Sequence, residues 1–202
     1  RVHQQGAAAE LATRALAASG FPGGAERIPV LVKLASRLEY LGRRDQERAA
    51  LEELLAVSDA HGDASARARA RRMLGWLRIR EAKHAEARAV LEEALELARA
   101  GGDLREESDA TGYLGHLCNE TARLEEAEAF FTRSLELARQ SGHRMQEIKM
   151  TGNLGVVAYG RGRKGEAQAI FERHLAMCRE EGYRLGEAIS VGNLGVLHVQ
   201  AG

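Results

Sequence analysis

Residues that interrupt helices, cross-link chains or anchor them in lipid are scarce in this sequence. Its 202 residues include two prolines and two cysteines, and aromatic side chains make up only 4%. Two cysteines, Cys118 and Cys178, are too few for a disulfide scaffold or a four-ligand zinc site. No apolar run approaches the roughly 18 residues of a membrane-spanning helix, and no signal peptide opens the chain. We therefore expect a cytoplasmic protein without a membrane partner.

An excess of charge of either sign is also missing. The 29 basic residues balance 29 acidic ones, whereas proteins dedicated to nucleic acid usually carry a clear surplus of Lys and Arg. Apolar residues make up 45% and charged residues 29% of the chain, so it should fold. The apolar share is mostly Ala and Leu, which are strong helix formers. These proportions predict an all-α protein that does not bind nucleic acid.

What is abundant is repetition with a period of 40 residues. A leucine followed by a small residue recurs five times, as Leu34-Ala35, Leu74-Gly75, Leu114-Gly115, Leu154-Gly155 and Leu194-Gly195. A second apolar position keeps the same spacing, at Leu51, Leu91, Phe131 and Phe171. A glycine turn closes four units, at Gly62, Gly102, Gly142 and Gly182. Three features that stay in phase indicate a repeat protein.

Each unit is predicted to contain two amphipathic helices, called here the first and the second helix. A glycine suits the end of a helix, and Asp63 and Asp103 suit the start of the next one. Neither helix can bury its apolar stripe alone, so the pairs must stack. The predicted first helices span 25–41, 64–81, 104–121, 144–161 and 184–200. The predicted second helices span 4–19, 44–60, 84–100, 124–140 and 164–180.

This pattern resembles the tetratricopeptide repeat (TPR), in which a Leu-Gly step in the first helix precedes Ala-x3-Phe in the second. Leu114-Gly115 and Leu154-Gly155, with Ala127-Phe131 and Ala167-Phe171, match it. The period of 40 instead of 34 is similar to a long-helix subclass, found in kinesin light chain and in bacterial regulators of the maltose-activator type. The first repeat departs from the pattern, with Ala35 for Gly and Glu47 for Ala.

The resemblance implies a right-handed α–α superhelix, a TPR solenoid, of about ten antiparallel helices. It predicts one domain over 1–202, made of a partial repeat at 1–22, repeats at 23–62, 63–102, 103–142 and 143–182, and a partial repeat at 183–202. We expect this domain to be a fragment of a larger protein. The Leu-Gly glycines, Gly195 included, should sit where paired helices are closest, facing Ala87, Ala127 and Ala167, while Leu and Phe fill the space between successive pairs.

The resemblance also implies a concave groove, lined mainly by the first helices, that binds a peptide. The residues expected to line it are Arg69, Arg72, Met73, Trp76, Arg80, Tyr113, His116, Asn119, Lys149, Asn153, Val156, Tyr159 and Asn193. This lining mixes aromatic, basic, amide and apolar side chains. Trp, Tyr and Arg are the residues that most often anchor interfaces, so we expect a protein or peptide ligand.

Three of these assignments have a second interpretation. Trp76 either anchors a ligand or packs between helices. Asn153 and Asn193, which occupy equivalent positions, either clamp the backbone of an extended peptide or bond locally. The six arginines between 67 and 80 either attract an acidic peptide or reflect the codon usage of a GC-rich genome, since 25 of the 29 basic residues are Arg.

No constellation of residues predicts catalysis, a metal site or a cofactor. His116 and Cys118 are two residues apart, so they lie on different faces of one helix. We therefore expect a non-catalytic interaction module, and not a hydrolase or metal enzyme. An alternative is the sensor or regulatory arm of a larger signalling protein, such as an ATPase, a kinase or a transcription regulator. The last helix has apolar residues up to Val199, which predicts self-association through uncapped terminal helices.

Overall fold

The computed structural model describes residues 2–61 and 63–199, and these residues form ten α-helices and no strand. The helices are α1 (Val2–Ala17), α2 (Arg27–Tyr40), α3 (Arg44–His61), α4 (Ala64–Arg80), α5 (His84–Ala100), α6 (Leu104–Glu120), α7 (Leu124–Gln140), α8 (Arg144–Gly160), α9 (Lys164–Glu180) and α10 (Arg184–Val199). A short 3-10 turn at Gly24–Glu26 precedes α2. The predicted all-α repeat fold is confirmed. Over the described residues, no helix has the length and apolar character needed to cross a bilayer.

Two helices begin at aspartates that cap their first turn, as the sequence predicts. The Asp63 carboxylate accepts hydrogen bonds from the backbone N–H groups of Ser65 and Ala66, which caps α4. Asp103 caps α6 in the same way. Both caps confirm the sequence-based expectation. The end predicted for the last helix, residue 200, lies outside the described residues.

The chain reverses at residues in the left-handed backbone region. Gly102, Gly142 and Gly182 have φ values of 65°, 63° and 64°, as expected for glycines that end second helices. Gly62 lies outside the described residues. Between the two helices of a unit, Gly42 and Gly162 take the same conformation, but the corresponding residues of the intervening repeats are Ala82 and Ala122, with φ values of 58° and 56°. Two L-residues therefore carry a conformation that favours glycine.

Helices pair closely where the first helix has its Leu-Gly step, and the nearest neighbour of each glycine there is the large residue of the second helix. A Cβ atom placed on Gly75, Gly115 or Gly155 would lie 2.5–2.6 Å from the side chain of Leu91, Phe131 or Phe171 respectively. Glycine thus leaves room for the large residue of its own pair. Phe131 and Phe171 also share buried clusters with Val157 and Leu197 of the next first helix, so they fill space between successive pairs as expected. For Gly195, a Cβ atom would meet no described atom.

The chain divides into two compact units, residues up to 102 and residues from 103 onward, called here unit 1 and unit 2. The core of unit 1 contains Leu31, Leu51 and Leu77, which are fully buried. The core of unit 2 includes Phe131 and Phe171, each of which is at most 2% exposed. The first helices are α2 and α4 in unit 1 and α6, α8 and α10 in unit 2. They carry the residues expected to bind a ligand.

Candidate functional site

In unit 1 the candidate residues follow one face of α4. Arg69, Arg72, Met73, Trp76 and Arg80 are each half-buried, at spacings of three and four residues. Met73 packs against the unit 1 core. Trp76 Nε1 donates a hydrogen bond of 2.6 Å to the Glu39 carboxylate of α2, and the Arg80 guanidinium lies 5.7 Å from the centre of its ring. Trp76 is therefore packed between elements of unit 1, with part of its ring accessible.

Arg80 is paired inside the protein with the residue that breaks the repeat pattern. Glu47 stands where later repeats have alanine, and it is 2% exposed. Arg80 donates a hydrogen bond to Glu47 Oε1, which joins α3 to α4. Glu47 Oε2 and Arg80 Nε are buried without a hydrogen-bond partner among the described residues. Burial raises the pKa of Glu47, and Arg80 opposes this rise.

The other arginines of α4 are also largely neutralised, which weakens the expected attraction for an acidic peptide. Arg67 and Arg71 pair with Asp59, and hydrogen bonds from Arg71 hold the pKa of Asp59 below its usual range. Arg78 pairs with Glu81, which also accepts a hydrogen bond from Arg48. The hydrogen bond from Arg48 makes the largest contribution to lowering the pKa of Glu81 to about 2. Most of the arginines of α4 are therefore already paired with carboxylates of unit 1.

In unit 2 the candidate residues lie on three successive first helices. Helix α6 contributes Tyr113, His116 and Asn119, which are half-buried. Helix α8 contributes Lys149 and Val156, which are exposed, with Asn153 and Tyr159, which are half-buried; α10 contributes Asn193, also half-buried. Tyr159 packs against the core around Phe171. Each of these helices therefore carries partly exposed side chains, as the lining of a binding surface requires.

A hydrogen bond joins the linings of α6 and α8. Asn153 Nδ2 donates to His116 Nε2 at 3.2 Å, and the His116 ring meets the edge of Phe131 with 5.3 Å between ring centres. Burial lowers the pKa of His116 to about 4, and the positive charge of Lys149 adds to this. A neutral imidazole has one nitrogen free to accept, which matches the bond from Asn153. Asn153 thus bonds locally, one of its two predicted roles.

Asn193 differs from Asn153, although both occupy the same place in the repeat. The position that corresponds to His116 in the next repeat is Val156, which offers no acceptor. The Asn193 side chain accordingly makes no hydrogen bond with another described residue, and neither does that of Asn119. Two amides on this surface therefore keep both donor and acceptor available for a ligand.

A buried polar chain between α9 and α10 is a feature that the sequence reading missed. Ser190 Oγ donates to the Gly186 carbonyl at 2.9 Å, so it accepts from His174 Nδ1 at 2.7 Å. His174 Nε2 is then free to accept from the Cys178 thiol at 3.5 Å. Burial lowers the pKa of His174 and raises that of Cys178, so both are neutral, unlike a thiolate nucleophile. The i, i+4 spacing of His174 and Cys178 was the available signal.

Metal binding finds no support in the part of the chain that the structure describes. No group of three or more His, Cys, Asp or Glu side chains could hold an ion there. Cys118 is buried, and its sulfur lies 4.0 Å from a carboxylate oxygen of Glu126. Its place is in the core beside Phe131, whose ring also contacts the half-buried His116.

Unit 1 also contains a cavity of about 390 Å³ that is lined by residues of α1, α2 and α3. Ala17 of α1 lines it, where the other repeats have Val57, Leu97, Leu137 and Met177. A smaller side chain at this position leaves space that larger residues occupy elsewhere. The Arg27–Glu53 ion pair lies at its wall. The sequence signal was the alanine at a position that is otherwise large.

Two sequence profiles described as tetratricopeptide repeat match the chain, over residues 68–100 and 106–180. The chain belongs to the tetratricopeptide repeat family. Its TPR pairs confirm the predicted 40-residue spacing, since α3, α5, α7 and α9 begin at 44, 84, 124 and 164. No curated protein sequence gives a significant match.

Solved structures similar to this TPR chain share its fold at low sequence identity. BtubC (BKLC) from P. vanneervenii is 20% identical with a TM-score of 0.74, over 99% of this chain and 82% of that chain. A Rap protein complexed with competence and sporulation factor is 17% identical with a TM-score of 0.71, over 77% and 43%. A signal transduction ATPase (STAND) with a TPR sensor, from Pyrococcus horikoshii, is 16% identical with a TM-score of 0.68, over 86% and 27%.

Proposed function

We propose that this TPR chain is a non-catalytic protein–protein interaction module that holds a peptide or extended protein segment against its first helices. The observation that carries the proposal is the surface of unit 2, where the first helices carry Tyr113, Val156 and the amides of Asn119 and Asn193, which bond no other described side chain. Amides bond a peptide backbone whatever its side chains are, while aromatic and apolar groups supply contact area. The likeness to a Rap protein solved with a bound factor supports this reading.

We further propose that the segment carries an acidic residue opposite Lys149. This lysine is exposed on α8 and forms no ion pair with another described residue, unlike Arg67, Arg71, Arg78 and Arg80 of α4. A cation without an internal partner is available to a ligand, whereas an arginine that leaves a carboxylate behind must first break an ion pair. We therefore expect any preference for acidic peptides to come from unit 2.

Peptide selection from a displayed library tests the proposal. Peptides that bind the wild-type chain are titrated by fluorescence anisotropy against Asn193→Ala and, as a matched amide on an exposed second helix, Gln140→Ala. Losing one hydrogen bond should weaken binding by about five-fold, or about 1 kcal/mol. If Asn193→Ala and Trp76→Ala bind these peptides as tightly as wild type does, the peptide binds elsewhere and the proposal fails. A Lys149→Ala variant should lose affinity only for peptides that contain Asp or Glu.

A second candidate is the sensor or regulatory arm of a larger signalling protein, favoured by the likeness to the TPR sensor of a STAND ATPase. Such an arm works through the same binding surface, so the two functions are compatible. Proteins that co-purify with the full-length gene product distinguish them, because an arm acts on a catalytic or DNA-binding domain of its own chain. We also propose a cytoplasmic location, because the free thiols of Cys118 and Cys178 suit a reducing compartment.

A further inference from the structure

The cavity of unit 1 lies where two second helices carry alanine at positions that are larger in the later repeats. Ala17 is one of these residues, and Leu97 and Leu137 stand at its place in α5 and α7. Ala50, which is 6% exposed, is the other. The residues at its place in α5, α7 and α9 are Val90, Phe130 and Ile170. The cavity is therefore space that larger side chains occupy in the later repeats.

The connection after α1 departs from the repeat as well. It covers residues 18–26, whereas residues 141–143 and 181–183 are enough between the later pairs. Helix α1 ends at Ala17, about one turn before the point where α7 and α9 end in their repeats. The helix therefore stops at the cavity, and a segment that contains only the short 3-10 turn follows it.

The cavity does not depend on what precedes α1. Helix α1 lines it with Thr13, Leu16 and Ala17. These residues share a helix face with Ala9, which is 1% exposed in the unit 1 core. A paired first helix packs instead on the face of Leu11, since the equivalent leucine of α5 is the one that α4 contacts at its glycine. The two faces lie on opposite sides of α1, so a helix before α1 would leave the cavity in place.

The floor of the cavity is apolar and its rim is polar. The floor consists of residues from all three helices that are at most 9% exposed, namely Leu16, Leu34, Leu38 and Ala50. Thr13 and Gln46 are exposed at the rim, together with the ion pair of Arg27 and Glu53. An apolar floor binds water poorly, so the apolar part of a ligand can replace that water at little cost.

Hydrogen-bonding groups at the rim remain available after the internal bonds are made. Arg27 donates from Nε and Nη2 to a single oxygen of Glu53, Oε1. Among the described residues, none donates to Glu53 Oε2. Thr13 Oγ1 donates to the Ala9 carbonyl at 3.0 Å, so its lone pairs can still accept, and the Gln46 amide bonds no other described side chain. The rim therefore offers mainly acceptors, while Arg27 is already paired.

We propose that this cavity binds a small uncharged molecule with an apolar body and an N–H or O–H head, of which a fatty-acid amide is the simplest case. The body would cover Leu34 and Leu38, and the head would donate to Glu53 Oε2. A volume of about 390 Å³ suits roughly ten to fifteen non-hydrogen atoms, because benzene occupies a protein cavity of about 150 Å³. A carboxylate head would be repelled by Glu53, and an ammonium head would lose its hydration beside the positive charge of Arg27.

This site is separate from the surface proposed to bind peptide. That surface belongs to α6, α8 and α10 of unit 2, while the cavity belongs to α1, α2 and α3 of unit 1. Peptide binding and small-molecule binding therefore succeed or fail independently.

Isothermal titration calorimetry with three probes that share an eight-carbon chain tests the site. One octanamide molecule should bind each wild-type chain, and octanoate and octylamine should bind at least about ten-fold more weakly. Two variants, Ala50→Ile and Ala17→Leu, fill the cavity with residues that the repeat uses elsewhere. Each should weaken octanamide binding by at least about ten-fold, because the new side chain takes the space of the ligand. Ala56→Ile is the matched control, since Ala56 is exposed on α3 and does not line the cavity.

The head group has its own variant. Glu53→Gln removes the negative charge at the rim and takes from Arg27 its ion-pair partner among the described residues. Octanoate should then bind this variant at least as tightly as octanamide does, which is the reverse of the wild-type order. An unchanged order, or equal affinities of wild type for the three probes, would overturn the assignment of the head group.

Other outcomes overturn the site itself. Octanamide that does not bind wild type up to its solubility limit removes the proposal. Equal octanamide affinities for wild type and Ala17→Leu would place binding elsewhere, and this variant decides alone if Ala50→Ile fails to fold, because Ala17 is exposed. Loss of binding in Ala56→Ile would show that the effect of the filling variants is not local.

Discussion

The buried pair of Glu47 and Arg80 makes a strong prediction about stability. Replacing Arg80 with Ala leaves the Glu47 carboxylate, 2% exposed, without its cation. Removing one partner of a buried ion pair typically costs about 3–5 kcal/mol, because a desolvated charge loses its compensation. We expect the free energy of unfolding of unit 1 to fall by about that amount in Arg80→Ala.

The reverse substitution should be much milder. Glu47→Ala restores the residue that later repeats have at this position, as Ala87, Ala127 and Ala167. Arg80 keeps 19% of its side chain exposed and lies over Trp76, so its charge can turn toward water. We expect a loss below about 1 kcal/mol for Glu47→Ala, and a similar value for the double variant. The coupling energy of the cycle should then be about 3–5 kcal/mol, close to the cost of Arg80→Ala alone.

The pH dependence separates a charge effect from lost packing. Burial raises the pKa of Glu47 in the folded protein, and without Arg80 it should rise further. A carboxyl whose folded pKa exceeds its unfolded pKa destabilises the fold above the folded value, and this penalty disappears as the pH falls through the folded pKa to the unfolded one. Arg80→Ala should therefore regain stability relative to the double variant in mildly acidic solution.

Urea denaturation followed by tryptophan fluorescence measures these quantities, because Trp76 is the single tryptophan and lies in unit 1. Midpoints, and not amplitudes, are compared, since the Arg80 side chain lies near the indole ring. The reasoning is refuted if Arg80→Ala costs no more than Glu47→Ala. It is also refuted if the difference between Arg80→Ala and the double variant does not shrink as the pH is lowered.

Two further predictions concern the strained turns at Ala82 and Ala122 and the buried imidazole of His116. Ala82→Gly and Ala122→Gly should each raise stability by about 0.5–1 kcal/mol, because glycine adopts positive φ without the cost to an L-residue; a thermal melting midpoint that does not rise contradicts this. Burial lowers the pKa of His116 in the folded protein to about 4, below its ordinary value of about 6.5, so its contribution to stability is present above the unfolded pKa and is lost as the pH falls toward the folded one. Wild type should lose up to about 3 kcal/mol over that range, whereas His116→Gln, which keeps an acceptor for Asn153, should show a flatter profile in circular dichroism melts.

The helices and their spacing could be predicted because the signals recur. One Leu-Gly step is weak evidence, but Leu74-Gly75, Leu114-Gly115 and Leu154-Gly155 in phase define a pair three times over. The contact made by each glycine was less predictable. Ala127 and Phe131 are both on the same face of α7, and only the packed structure shows that the ring of Phe131 takes the space above Gly115.

The binding surface was predictable by place but not by the state of its side chains. The 40-residue register placed Asn153 and Asn193 in equivalent positions, yet what each amide meets depends on a residue 37 positions earlier, His116 or Val156. The arginines of α4 show the same limit. Their count suggested a basic surface, whereas Asp59 and Glu81, which neutralise Arg71 and Arg78, come from neighbouring segments that composition does not identify.

The closeness in sequence of the residues that lock each helix pair has a kinetic consequence. Gly75 and Leu91, Gly115 and Phe131, and Gly155 and Phe171 are each 16 residues apart. Closing so short a loop costs little chain entropy, and proteins rich in local contacts fold quickly. Each pair can therefore form soon after its second helix leaves the ribosome, before the next pair has been synthesised. Folding of this chain can follow its translation from one end to the other, with each completed pair serving as the template for the next.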